Sequence, residues 1–119
     1  MAFKLVIGEQ LDVAVKGEIA DGAGKLPFRF ALQMRRLGIE AYRKALGQDS
    51  EVLVRDFLLD NALGWRDQRL VLDDAGKPAE YSREAFECLL GVVGMEQTCF
   101  QAYLQALAVV DKSAGRTGN

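Results

Sequence analysis

The chain has 119 residues, with 15 basic side chains against 17 acidic ones and no histidine. That length gives one domain, large enough to bury a core without disulfide or metal staples. Half the residues are apolar and 27% are charged, which excludes disorder throughout. The missing histidine excludes Ser-His and Cys-His nucleophiles and any His-ligated metal. The formal net charge is −2, and the densest cations, Arg35-Arg36 and Arg43-Lys44, read as a solvated face rather than a phosphate track.

Phe3, Leu5 and Ile7 alternate with Lys4 and Val6, which predicts a strand over 3–7, turned by Gly8-Glu9-Gln10. Leu11, Val13, Val15 and Ile19 predict a second strand, with Gly17 marking a bulge. A Gly-rich loop over 21–25 leads to Leu26, Phe28, Phe30, Leu32 and Met34, the longest period-2 series, with Pro27 at an edge position. The period then changes. A short helix over 39–46 is stopped by Gly47, and Asp49 or Ser50 caps a second one carrying Val52, Leu53, Phe57, Leu58 and Ala62. Residues 65–81 form a polar connection in which 73–78 is a turn and 69–72 pairs weakly with 79–81. Ser82 caps a third helix with Phe86, Leu89, Leu90 and Val93 on its apolar face. Gly91 and Gly94 break it from a last helix over 95–110. The expected fold is therefore α+β: about three N-terminal antiparallel strands, then about four helices, in a single domain over 1–110 with a flexible tail over 111–119.

Chemistry is thinly supplied. Ser50, Ser82 and Ser113 have no histidine partner. Asp73-Asp74 followed by Ala75-Gly76 is turn chemistry rather than a cation loop, and the glycines before Lys25 lack Walker A spacing. No catalytic, cofactor or metal site is expected. Cys88 and Cys99 sit in apolar helical stretches and read as buried free thiols. No signal-peptide pattern or membrane span is seen, so a cytoplasmic protein without membrane or nucleic-acid partners is expected. Trp65 at a helix exit fits a core plug or a binding hot spot. In the last helix Phe100, Tyr103, Leu104 and Leu107 form an apolar arc bordered by uncharged Gln97, Gln101 and Gln105. That arc is wider than a three-stranded sheet needs, which favours a partner or a second copy.

Residues 56–107 resemble the tail assembly chaperones of long-tailed bacteriophages and prophages. The resemblance rests on Gly64-Trp65, the turn Asp73-Asp74-Ala75-Gly76-Lys77-Pro78, the helix start Tyr81-Ser82-Arg83-Glu84-Ala85-Phe86 with Leu89-Leu90, and the closing helix Phe100-Gln101-Ala102-Tyr103-Leu104-Gln105-Ala106-Leu107. Phe28-Arg29-Phe30 followed by Arg35-Arg36-Leu37 agrees more loosely. The order of the motifs is more specific than any one of them. The resemblance implies a non-enzymatic protein that binds the tape measure protein and helps recruit the tail tube protein. It also implies a frameshifted, extended form in some members, and because one small domain covers little of a long client, a homo-oligomer is expected. The expected partner-binding residues are Trp65, Phe100, Tyr103, Leu104 and Leu107. A small tail-completion or other morphogenesis protein retained in the particle is the alternative.

Overall fold

The strongest period-2 patterns produce the longest elements. In a computed structural model, which describes residues 2–47 and 52–109, β1 (Gln10–Asp21) and β2 (Gly24–Arg35) pair along their full length as an antiparallel hairpin. The two-residue loop carries Gly22 at φ 61°, the positive first position of a type II′ turn. Leu11 faces Met34, Val13 faces Leu32 and Val15 faces Phe30, so one side of the hairpin is apolar and buried. Asp12, Ala14 and Lys16 point to the other side and are exposed. Gly17 makes no bulge. It pairs in register with Phe28, whose Cζ lies 2.9 Å from where a Cβ would stand, so the glycine makes room for a cross-strand ring. Pro27 lies opposite Glu18, and the ladder continues past it, so its missing N–H faces away from β1.

Among the described residues the fold is α+β with three antiparallel strands and four helices, as expected, but one expected strand is absent and another takes its place. The third strand is β3 (Ala62–Arg66), which follows the second helix and pairs with β2, Leu32 opposite Trp65 and Gln33 opposite Gly64. A register shift between Gln33 and Met34 supplies the sheet's irregularity. Five residues that include a glycine are too short a pattern to read as a strand. Residues 3–7, read as the first strand, form none: alternation makes a segment fit for a sheet without supplying a pairing partner.

The helices are α1 (Ile39–Leu46), α2 (Val54–Asn61), α3 (Arg83–Leu90) and α4 (Met95–Leu107). The Gly47 N–H closes α1 on the Arg43 carbonyl at 2.8 Å. Asp49 and Ser50, the expected caps of α2, lie outside the described residues, as does the tail over 111–119; Leu53 takes the N-cap position of α2. Ser82 Oγ accepts from the Ala85 N–H at 3.0 Å, satisfying an orphan donor of α3. Gly91 ends α3, and Gly94, at φ 91°, starts α4. Val93 therefore falls in the corner between them and is exposed rather than on a helix face.

Phe57, Leu58 and Leu59 of α2, Phe86, Leu89 and Leu90 of α3, and Met95, Cys99 and Tyr103 of α4 cover the apolar side of the sheet. Among the described residues the ion pairs Arg55–Glu87, Arg66–Asp12 and Arg83–Asp60 are all solvated, and each contributes at most about 1 kcal/mol. Cys99 is a buried free thiol as expected, whereas Cys88 points outward from α3 and is exposed. No helix among the described residues is long and apolar enough to cross a membrane.

The connection between β3 and α3 is tightly organised. Gln68 is buried, and its amide nitrogen donates to the carbonyls of Val71 (2.9 Å) and Ala79 (3.0 Å). Its amide oxygen accepts from the N–H groups of Leu70 (3.1 Å) and Val71 (2.9 Å). Asp73 Oδ1 accepts from the Ala75 and Lys77 N–H groups, the turn chemistry expected there. The backbone closes the turn through Asp73–Lys77 and Ala79–Val71 bonds, which is the weak pairing expected between 69–72 and 79–81.

Candidate functional site

Tyr103 holds the end of α4 to the chain leaving β2. Its hydroxyl donates to the Arg35 carbonyl at 3.0 Å, and its ring meets Phe57 edge-on at 5.4 Å. Burial pushes its pKa up, partly offset by a hydrogen bond from the Leu37 backbone and by the Arg36 charge. Beside this anchor α1 lies on the surface with no buried residue, yet Ile39 and Tyr42 share one of its faces at i, i+3 spacing.

Together these elements line an open apolar groove of about 550 Å³ formed by Leu37, Ile39, Tyr42, Leu104, Leu107 and Val109. Ile39 is 60% exposed and Val109 99% exposed. Arg36 also lines the groove, and its Nε is buried with no hydrogen-bond partner. The groove thus presents half-buried and exposed apolar side chains along an open wall. It has the chemistry of a binding surface rather than of a reaction site.

The structure brings Leu104 and Leu107 together in this groove and separates the other expected partner-binding residues from them. Tyr103 is fully buried and forms part of the core, so it supports the groove without presenting a surface. Phe100 is half-buried and turned to α2, its ring edge-on to Phe57 at 6.1 Å. Trp65 is half-buried on β3, where its ring packs edge-on against Tyr81 at 5.3 Å and Phe86 at 6.2 Å. Its Nε1 donates to the Ala79 carbonyl at 3.0 Å, so it plugs the junction of sheet and connection. Leu37, Ile39, Tyr42 and Val109 were missed by the sequence reading. The available signal was Ile39 and Tyr42, three apart on a helix too short to need an apolar face of its own.

A second concavity of about 670 Å³ runs along the hairpin and the β3 exit, with Asp12, Arg29, Arg66, Asp67 and Arg69 at its wall. Every one of these charged residues is exposed, and no serine, cysteine or lysine lines the space. Asp67 has φ 66°, the left-handed turn by which the chain leaves β3. Among the described residues no three Asp, Glu or Cys side chains gather to hold a metal ion. Comparison with known proteins returns nothing: no family model, curated protein or solved structure matches the chain.

Proposed function

We propose that this chain is a non-catalytic tail assembly chaperone of a long-tailed phage or prophage, working in the host cytoplasm. Its client is the tape measure protein, a long helical chain with apolar faces, and it assists recruitment of the tail tube protein. The observation that carries this reading is the open groove of Leu37, Ile39, Tyr42, Leu104 and Leu107 on a small acidic protein. An amphipathic client helix lays its apolar face into such a groove through residues at i, i+3, i+4 and i+7. The order of the motifs from Gly64-Trp65 to the closing helix supports the family assignment. One groove covers only a few turns of a long client, so the chaperone acts in several copies.

Co-expression with the tape measure protein tests this. The expected result is a soluble complex with the native chain and an insoluble client with Leu107→Glu, the variant itself remaining folded. A client that stays insoluble with both the 119-residue chain and any extended form ends the chaperone reading. Recovery of this chain from finished particles would move the assignment to a retained tail-completion protein.

A further inference from the structure

The uncovered groove has a counterpart in the same molecule. The Arg36 N–H donates to the Glu9 carbonyl at 2.7 Å, one step beyond the Gln10–Arg35 pair. Residues 2–8 therefore leave the sheet beside Arg36 and Leu37, which are the wall of the groove. Within that segment Phe3, Leu5, Val6 and Ile7 are 91%, 75%, 103% and 51% exposed. Four large apolar side chains in five residues, bare to water, are uncommon in a soluble chain. Phe3, Leu5 and Ile7 alternate with the period of two of an extended strand. Seven extended residues reach about 23 Å, enough to cross to a neighbouring molecule.

We propose that two copies exchange these arms: residues 3–7 of one lie in the groove formed by Leu37, Ile39, Tyr42, Leu104 and Leu107 of the other. Three observations converge on this occupant. The arm and the groove are both apolar and both uncovered. They sit at the same end of the sheet, so one two-fold axis satisfies two grooves at once and closes the assembly. The arm stands off the body of its own chain, which leaves a second copy to receive it. The inference rests on the reading of this groove as the client site and adds a regulation to it. The arm competes with the client, so the apolar surface stays covered until a client displaces it.

Light scattering on the purified chain tests the exchange with no client present, so its outcome is independent of the co-expression result. The full chain is expected at twice its monomer mass of 13.1 kDa. A chain lacking residues 2–8 and the groove variant Ile39→Asp are each expected at monomer mass, with melting temperatures matching a monomeric reference obtained by dilution. A synthetic peptide of residues 1–9 should bind the shortened chain one to one and fail to bind Ile39→Asp. A monomeric full chain overturns the proposal, including the case in which the arm protects its own groove. A shortened chain that keeps the double mass also overturns it.

Discussion

Two ends of this molecule solve opposite problems. The connection over 67–81 is polar and irregular, yet its backbone groups find partners inside the loop, through Gln68, Asp73 and the Trp65 indole. The end built from residues 36–42 and 104–109 is apolar and regular, yet it leaves Ile39 and Val109 largely exposed and Leu37, Leu104 and Leu107 only half-buried. The irregular region is the finished one. A loop closed by side-chain hydrogen bonds needs nothing more, whereas a helix end with a bare apolar face still has a surface to cover. Polarity and regularity are thus poor guides to where a protein binds; completeness of satisfaction is a better one.

That contrast can be broken by substitutions that ought to separate stability from association. Phe86→Ala should have the largest effect, about 3–5 kcal/mol in urea denaturation, because a fully buried ring supporting both Trp65 and Tyr81 is removed. Gln68→Ala should cost about 1–3 kcal/mol by stranding the part-buried Leu70 and Val71 N–H groups, with no change in solution mass. A mass change there would mean that the connection is also an interface. Tyr103→Phe sits on the boundary between the two regimes. It should lose about 1 kcal/mol from the Arg35 hydrogen bond and also weaken association, since the groove's floor loosens. Ile39→Asp should stay within about 0.5 kcal/mol of the native stability while abolishing self-association.

The thiols give the smallest effect at neutral pH. Cys88 should take an alkylating reagent in the native state, while Cys99, buried and with its pKa pushed up to about 12, should label only on unfolding. A raised folded pKa means the neutral thiol is favoured by folding. That contribution is intact below the unfolded value of 9.0 and is lost as pH climbs from there through about 12. Base denaturation of Cys99→Ala should therefore be shallower over that window than that of the native chain.

The hairpin was legible because Leu11 to Val15 and Phe28 to Met34 bury alternate residues against helices, which forces a clean period of two. Ser82 was legible because capping is local chemistry. β3 was not: Ala62 continues the apolar stripe of α2, and only the proximity of β2 pulls the chain into a strand at that point. Gln68 looked like any polar loop residue: three of its bonds close on Leu70 and Val71 beside it, and the fourth reaches Ala79 only because the turn over 73–78 folds the chain back. Of the expected binding residues, Leu104 and Leu107 reached the candidate groove. Phe100, Tyr103 and Trp65 did not, because an apolar arc on a helix gives the total surface to be covered without saying which part the same chain covers. Which residues complete the groove depended on where α1 comes to rest, and α1 buries nothing that would announce its position.

Pro27 has a consequence for how large an assembly can grow. β3 covers only the stretch of β2 from Ala31 to Met34, so the rest of that strand is an open rail beside which another strand could be laid. With its ring nitrogen turned to that side, Pro27 interrupts the rail midway, and Lys25 and Arg29 flank it with charge. Stacking of hairpins into an endless ribbon is thereby interrupted on the β2 side, and a mutant carrying an ordinary residue at position 27 would be the one to watch for fibres.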